Sequence, residues 1–165
     1  MLNVTLKPLD TSEYPCWWND KDTSYWMLHG SVTRGPEYNQ EYYNDVKNSR
    51  DTKVFKILVE DKHVGNVSLS HIDWIHRRGE LGIVIWDSCY RSKGVGTSAC
   101  SLLCSYAFNI LGLTAVWLGV VEGNTGAIKC YEKVGFKQCG KWTKAAYLHG
   151  VWHNTIMMEN VKDGK

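Results

Sequence analysis

The pattern of hydrophobic and polar residues along the chain predicts seven β-strands. Residues 54–59 are β-branched and apolar, and residues 64–70 alternate between apolar and polar with a period of two, as is typical of strands. Short polar turns at residues 60–63 and 76–79 separate three consecutive strands, which we expect to pair as an antiparallel meander. The predicted strands are residues 4–9, 54–59, 64–70, 80–86 and 113–121, with two more between residues 136 and 159 joined around 147–150.

A helical period replaces the strand period after residue 96. The apolar positions there recur with the spacing of one helix face, which predicts a buried stripe of Ala99, Leu102, Leu103, Tyr106 and Ile110. We expect Thr97 to cap this helix and Gly112 to end it. A shorter helix is predicted over residues 125–133, with Asn124 as its N-cap and Gly135 at its end.

The region between residues 11 and 48 is polar and rich in tryptophan and tyrosine. Proline and the Gly35-Pro36 pair interrupt it, so we predict two short helices with a loop around residues 31–36. Aromatic residues at this density either line a pocket for a second substrate or pack a core. The sequence leaves both interpretations open.

The order of the elements predicts the fold class. A strand, a helix and a further strand between residues 80 and 121 form a β-α-β crossover, which implies two parallel strands in an otherwise antiparallel sheet. We therefore expect an α/β fold with a mixed sheet, formed by residues 1–165 as one domain.

Composition and charge add mainly exclusions. The formal net charge is +2, with no lysine- and arginine-rich tail that would indicate nucleic-acid binding. Neither a secretory leader nor an apolar run of about 18 residues is visible, so we expect a cytoplasmic protein without a membrane partner. We predict no metal, since no Cys-x-x-Cys pair occurs, and expect most of the six cysteines to be reduced core residues: Cys16, Cys89, Cys100, Cys104, Cys130 and Cys139.

The candidate chemistry begins at residues 91–96, Arg-Ser-Lys-Gly-Val-Gly, between a predicted strand and a predicted helix. The free N–H groups and positive dipole at a helix start favour a phosphate, and glycine lets the backbone approach it closely. Arg91 and Lys93 add positive charge. The segment matches neither the Rossmann fingerprint nor the P-loop, and a plain turn between strand and helix is the alternative.

This segment resembles the pyrophosphate loop of the GNAT superfamily of acyl-CoA-dependent N-acetyltransferases, whose pattern is Arg/Gln-x-x-Gly-x-Gly/Ala. Residues 122–136 are similar to the next landmark of that family, an Asn followed by Ala, Tyr and Gly-Phe. The branch with ribosomal-protein, polyamine and amino-sugar acetyltransferases is the most similar. The resemblance implies a mixed sheet of about seven strands flanked by helices, with splayed fourth and fifth strands, and acetyl-CoA as the acetyl donor.

The resemblance also implies the binding residues for this donor. Backbone groups near Ile83, Val84 and Ile85 would bind the pantetheine arm, which enters between the splayed strands. The pyrophosphate would lie on the loop and helix start: Arg91, Ser92, Lys93, Gly94, Val95, Gly96 and Thr97. Asn124 matches a residue that contacts the cofactor, although an N-cap needs no ligand.

Two residues are the predicted catalytic groups. Tyr131 matches the family's general acid, which protonates the departing thiolate; packing beneath the helix is the alternative. The amine needs a base or a water relay to remove its proton, and Glu80 is the first choice as the base; an ion pair with Arg77 or Arg78 is the alternative role of Glu80. The weaker candidates for the base are His71, Asp73 and His149.

The acceptor is predicted to be a small primary amine that attacks the thioester directly. An amino sugar or its nucleotide conjugate has a small preference over a polyamine, because the net charge is modest and residues 70–76 mix polar and aromatic side chains. The alternatives are a protein N-terminal or lysine acetyltransferase and a non-catalytic acyl-CoA-binding regulator. Either a monomer or a homodimer is compatible with the sequence.

Overall fold

A computed structural model describes residues 2–27, 34–35 and 37–162 of the chain. The strands are β1 (Val4–Pro8), β2 (Lys53–Val59), β3 (Lys62–Asp73), β4 (Arg78–Ile85), β5 (Ala115–Val121), β6 (Lys137–Leu148) and β7 (Val151–Val161). The α-helices are α1 (Lys21–Ser24), α2 (Tyr38–Asn48), α3 (Val95–Asn109) and α4 (Thr125–Val134), and short 3-10 helices cover Trp17–Asn19 and Ser88–Tyr90.

All seven strands of the described chain form one sheet, in the order β1-β2-β3-β4-β5-β7-β6. Neighbouring strands are antiparallel except β4 and β5, which are parallel and are connected by α3. The predicted meander, the crossover and the mixed α/β sheet are therefore confirmed. The predicted strands were too short in places, since β3 begins two residues before and ends three residues after the predicted 64–70.

The hydrophobic core lies where α3 packs on the sheet. Ile57 of β2, Leu69 of β3 and Leu103 of α3 have no exposed side-chain surface, and Leu118 of β5 is almost as deeply buried. Burial of several such side chains, each contributing about 1.5–3 kcal/mol, holds α3 against the sheet, where it contacts β1, β3, β4 and β5. This packing determines where the N-terminus of α3 lies relative to the end of β4.

The predicted buried face of α3 was wrong in part. Ala99 and Leu103 are fully buried, but Leu102 is 42% exposed and Ile110 is 72% exposed. The buried face instead continues through small residues, namely Cys100, Cys104 and Ala107. Small side chains let a helix lie close to a sheet, and a stripe chosen from large apolar residues misses them.

Two other local predictions need correction. Gly94, not Thr97, is the N-cap of α3, because the helix begins at Val95 and Thr97 is its third residue. The cysteines are free, but only Cys100 and Cys104 are buried, whereas Cys16, Cys89 and Cys139 are exposed and Cys130 is half-buried. Most of the six are thus not core residues.

The aromatic region forms the 3-10 helix at Trp17–Asn19, then α1 and α2. Asp20 caps α1 by accepting a hydrogen bond from the Asp22 N–H at 3.0 Å, which confirms a short helix there. The predicted loop around residues 31–36 lies mostly outside the described residues. No helix in the described part of the chain is both long and apolar enough to cross a membrane.

Candidate active site

A slot opens between the parallel strands β4 and β5. Their pairing covers Arg78, Gly79 and Glu80 of β4 against Ala115, Val116 and Trp117 of β5, and it stops there. Past this point β4 stays paired with β3 as far as Ile85, while β5 stays paired with β7 as far as Val121. The two strands diverge, and the splay predicted for the fourth and fifth strands is confirmed.

The N-terminus of α3 lies just beyond the end of β4. Its N-cap, Gly94, has φ +82° and provides no side-chain hydrogen bond to the helix. The first hydrogen bond runs from the Ser98 N–H to the Gly94 carbonyl at 3.0 Å, so the N–H groups of Val95, Gly96 and Thr97 precede it. Such N–H groups bind anions well, because they lie at the positive end of the helix dipole.

Gly94 and Gly96 both leave room beside the backbone. A Cβ atom built on Gly94 would meet no atom within 4 Å, and its positive φ is one that side-chain-bearing residues rarely adopt. A Cβ on Gly96 would lie 3.5 Å from Cys130 Sγ and 3.6 Å from Ile85 Cδ1. The helix start is thus open at Gly94 and bounded at Gly96 by α4 and β4.

Arg91 anchors the segment before α3 through three hydrogen bonds of its side chain. Its Nε donates to the Ile85 carbonyl at 2.8 Å, and its Nη2 donates to the Thr23 hydroxyl at 2.6 Å and to the Trp86 carbonyl at 3.2 Å. The guanidinium therefore links the end of β4 to α1. Lys93, in contrast, is exposed next to the helix start, and no residue that the structure describes pairs with its charge.

Helix α4 packs beside the N-terminal turn of α3. Asn124 caps it, accepting a hydrogen bond from the Ala127 N–H at 3.3 Å, and Gly135 ends it with φ +103°, both as predicted. The Cys130 thiol lies 3.3 Å from the Thr97 hydroxyl, which ties α4 to the first turn of α3. Hydrogen bonding from Cys100 and Thr97, with the charge of Lys133, lowers the pKa of the Cys130 thiol to about 6.

Tyr131 lies next to this contact. Its ring packs against the core and meets Phe136 edge-on, with ring centroids 5.9 Å apart. The residue is partly buried, and its hydroxyl makes no hydrogen bond to any residue in the described part of the chain. Burial raises the pKa of Tyr131 well above its usual value, and nearby Cys100 and Cys130 raise it further. The phenol is therefore protonated at neutral pH.

On the other face of β3 and β4 lies a cavity of about 490 Å³. Aromatic residues from the N-terminal region form one wall, and β3 and β4 form the other. The lining includes Tyr14, Trp17, Trp18, Tyr38 and Tyr42 on the first wall, and Asn66, Ser68, Ser70, His71, Glu80, Gly82 and Val84 on the second. These five aromatic residues of the N-terminal region therefore border a cavity and do not only fill a core.

The aromatic wall carries a cation, Arg34, and a carboxylate, Asp45. The Arg34 guanidinium lies 4.0 Å from the ring centroid of Tyr38 and 5.3 Å from that of Trp18, so the ring faces already accept a positive group. Asp45 of α2 also lines the cavity. Burial and the neighbouring Tyr38 raise the pKa of Tyr42 to about 12, so its hydroxyl stays neutral.

Glu80 is paired with a residue other than those predicted. Its Oε2 lies 2.7 Å from Nδ1 of His71, whereas Arg78 pairs with Glu159 at 3.8 Å. The ion pair proposed with Arg77 or Arg78 is thus not present among the described residues. The sequence did not reveal this contact, because His71 and Glu80 are nine positions apart and are separated by a turn.

The two remaining candidates for the base have structural contacts elsewhere. Asp73 accepts hydrogen bonds from the N–H groups of Ile75 and His76, at 2.9 and 2.8 Å, and so closes the turn before β4. His149 stacks on Tyr25, with ring centroids 4.3 Å apart, in the turn between β6 and β7. Neither residue lines the cavity that contains Glu80.

The family follows from comparison with known proteins. The family model of the acetyltransferase (GNAT) domain matches residues 3–137, which is most of the chain. The chain belongs to the GNAT family. The resemblance inferred from residues 91–96 and 122–136 is therefore confirmed at the level of the family.

Curated relatives of this GNAT domain differ in their names. Spermidine N(1)-acetyltransferase of Escherichia coli K12 is 30% identical over 118 residues, which are 72% of this chain and 63% of that protein. The putative ribosomal N-acetyltransferase YdaF of Bacillus subtilis is 30% identical over 106 residues, or 64% of this chain and 57% of that protein. The matches therefore span less than two thirds of these relatives' lengths.

A solved structure supports the fold of this GNAT domain. The spermidine N-acetyltransferase of Vibrio cholerae, crystallised with CoA and spermine, superposes with a TM-score of 0.86 and 22% identity, covering 96% of this chain and 95% of that one.

The structure of the GNAT domain groups the predicted residues in two places. Residues 83–85 and 91–97 come together on the open side of the slot, where Gly96 faces the side chains of Ile83 and Ile85 and of Cys130 on α4, the neighbour of Tyr131. Glu80 lies at the closed end, on the face with the cavity. Sequence reasoning missed the pairing of His71 with Glu80 and the individual cavity residues, for which only the aromatic density between residues 11 and 48 gave a signal.

Proposed function

We propose that this chain transfers an acetyl group from acetyl-CoA to a primary amine of a small acceptor. The observation that carries the proposal is the divergence of β4 and β5 beyond Glu80, in a chain of the GNAT family. The slot lies between an anion-binding helix start and a cavity that contains a carboxylate. A donor and an acceptor can therefore meet between the strands from opposite sides of the sheet.

The residues around the slot suit the donor. The uncapped N–H groups of residues 95–97, the open space at Gly94 and the free charge of Lys93 fit a pyrophosphate. Backbone groups of Ile83–Ile85 on the unpaired edge of β4 would hold the pantetheine arm. Asn124 supports the site indirectly, because its side chain is used in capping α4.

The reaction needs a proton to be removed from the attacking amine and another to be supplied to the departing sulfur. Acetyl-CoA supplies a thioester whose carbonyl carbon can accept the amine. Tyr131, which is protonated and has no hydrogen bond to any described residue, is assigned as the group that gives its proton to the departing sulfur. Proton removal from the amine is assigned to Glu80 together with His71, its hydrogen-bonded neighbour.

A polyamine is the acceptor that we now favour. The curated relatives include spermidine N(1)-acetyltransferases, whereas the comparisons give no support to the predicted preference for an amino sugar. Asp45 and Glu80 line the cavity, and their carboxylates can pair with ammonium groups. An amino sugar has only one ammonium group, so it has no second one that could form an ion pair with the Asp45 carboxylate.

Other functions in the family remain as alternatives to be tested. Some relatives are named for ribosomal or tubulin acetylation, so a protein acceptor is the alternative. A cavity of about 490 Å³ walled by aromatic residues favours a small acceptor over a folded protein surface. The protonated Tyr131 and the paired Glu80 count against a regulator that only binds acyl-CoA.

The direct test measures thiol release from acetyl-CoA with spermidine, glucosamine and an N-terminal peptide as acceptors. We expect turnover with spermidine to exceed turnover with the other two. Faster turnover with glucosamine would restore the amino-sugar assignment, and turnover with the peptide alone would favour a protein acetyltransferase. Acetyl-CoA binding without turnover on any acceptor would contradict an enzyme for small amines.

Asp45→Asn tests the acceptor class with a single variant. Removal of this carboxylate should raise the KM for spermidine by about 3- to 10-fold, as expected for one partly exposed ion pair. The kcat and the KM for acetyl-CoA should not change, since Asp45 is on the wall of the cavity opposite the sheet. An unchanged KM for spermidine would show that Asp45 does not bind the acceptor; Glu41→Gln, an exposed residue of the same helix, is the matched control.

A further inference from the structure

The side chains of β3 stop alternating where the strand passes Glu80. Ser68 and Ser70 line the cavity, and Leu69 between them is fully buried in the core, as in a regular strand. Continued alternation would place His71 in the core and Ile72 in the cavity. The reverse is found: Ile72 is 4% exposed and belongs to the core, while His71 lines the cavity.

A β-bulge causes this reversal. Ser70 is opposite Glu80 and Asp73 is opposite Arg78, so two residues of β3 face a single residue of β4. His71 has φ +48° at this bulge, a left-handed conformation that costs a non-glycine residue free energy. Bulges next to active sites commonly redirect a side chain, and this one turns His71 towards the cavity.

The redirected imidazole bonds to Glu80 through one nitrogen only. Nδ1 of His71 lies 2.7 Å from Oε2 of Glu80. An ionised carboxylate only accepts hydrogen bonds, so Nδ1 carries a hydrogen and, in the neutral ring, Nε2 has a free lone pair. Nε2 has no hydrogen bond to any residue that the structure describes. The pair therefore presents a proton acceptor whose tautomer is fixed by the carboxylate.

This acceptor lies at the closed end of the slot. Glu80 is the last residue of β4 that pairs with β5, opposite Trp117. The His71 side chain is 77% exposed and the Glu80 side chain 27%, so the imidazole, rather than the carboxylate, is the more accessible group. A proton that reaches Nε2 can pass directly to solvent.

We infer that His71 takes the proton from the acceptor ammonium group and that Glu80 is its positioning residue. This assignment rests on the proposed acetyltransferase function. The ammonium group loses one proton to Nε2, and its nitrogen then forms the C–N bond as the C–S bond breaks. The second proton of that nitrogen replaces the one that Tyr131 gives to sulfur, and His71 releases the first to water. The products are the amide, the thiol and one proton.

The experiment compares variants of the full chain in the spermidine assay. His71→Asn should lose about 100-fold in turnover, the effect of a missing general base, and should fold normally because Asn tolerates positive φ. His71→Gly removes the side chain and relieves the backbone conformation. Imidazole added to His71→Gly should restore at least 10-fold of the lost turnover, which a merely structural histidine would not allow.

Glu80 and the control complete the test. Glu80→Gln keeps an oxygen that can accept from Nδ1, so it should lose less turnover than His71→Asn, and the double variant should be no worse than His71→Asn alone. His76→Ala, an exposed histidine outside the cavity, should retain full turnover.

Three outcomes would overturn the inference. If Glu80→Gln is the more severe variant and His71→Asn keeps nearly full turnover, Glu80 is the base itself. If imidazole gives no rescue of a folded His71→Gly that binds acetyl-CoA, the ring has a structural role. If the unmodified chain acetylates no amine, the proposed function fails, and this assignment fails with it.

Discussion

The two halves of the candidate site are built in different ways. The donor half depends on backbone: the N–H groups at the start of α3, Gly94 with φ +82° and the unpaired edge of β4. The acceptor half depends on side chains from distant parts of the chain, such as Trp17, Asp45 and the His71–Glu80 pair. Backbone geometry is encoded by a short local motif, whereas a side-chain cavity can change without altering any motif.

Tyr131 is the one side chain in the donor half that should affect the chemical step. Tyr131→Phe removes the proton donor but keeps the ring packed against Phe136. We expect kcat to fall by about 10- to 1,000-fold while acetyl-CoA affinity is unchanged, because the proton matters chiefly in the transition state. Steady-state kinetics with calorimetric binding measure both. A variant that keeps full kcat would show that Tyr131 only packs.

The donor half should be sensitive to side chains added at its glycines. Gly96→Val places methyl groups against Cys130 and Ile85, where a Cβ already lies 3.5–3.6 Å from their side chains, and it crowds the backbone that faces the ligand. Loss of one N–H contact to a charged group should weaken acetyl-CoA binding about 10- to 100-fold.

Two further glycine variants separate binding from folding. Gly96→Ala should raise stability by up to about 1 kcal/mol, since alanine favours helix, and still weaken binding. Gly140→Val in β6, where a Cβ would be 3.7 Å from Met157, should leave binding unchanged. Equal affinity of Gly96→Val and the unmodified chain in calorimetry would place the pyrophosphate elsewhere.

Arg91 should have the smallest direct effect on the donor, although it stands first in the motif. Arg91→Leu removes hydrogen bonds to Ile85, Trp86 and Thr23, so we expect a loss of about 1–3 kcal/mol in the free energy of unfolding. Acetyl-CoA affinity should fall only about 2- to 5-fold, similar to the effect of Lys93→Ala, an exposed charge. Urea unfolding and calorimetry measure these quantities. A large loss of affinity at normal stability would mean that the guanidinium binds phosphate directly.

The sequence was most informative where neighbours along the chain determine the structure. Asn124 and Gly135 set the ends of α4, and both were predicted, because capping involves residues only three or four positions apart. The face of α3 was predicted less well, since the choice between Leu102 and Cys100 depends on how closely the helix approaches the sheet. The roles of Glu80, Tyr131 and residues 83–85 remain predictions, as do the cytoplasmic location and the oligomeric state.

The sequence by itself determined the family, the strand order around the crossover and the presence of a glycine turn before α3, although the helix begins at Val95 and not after Gly96. Each follows from periodicity, glycine spacing or a motif within one strand and one helix. Only the tertiary structure decided that His71, not Arg77 or Arg78, meets Glu80, because a bulge of β3 reverses the alternation of its side chains. Only the tertiary structure brought the aromatic residues of the N-terminal region over β3 and β4, because the aromatic density of residues 11–48 does not show which distant strands these residues pack against.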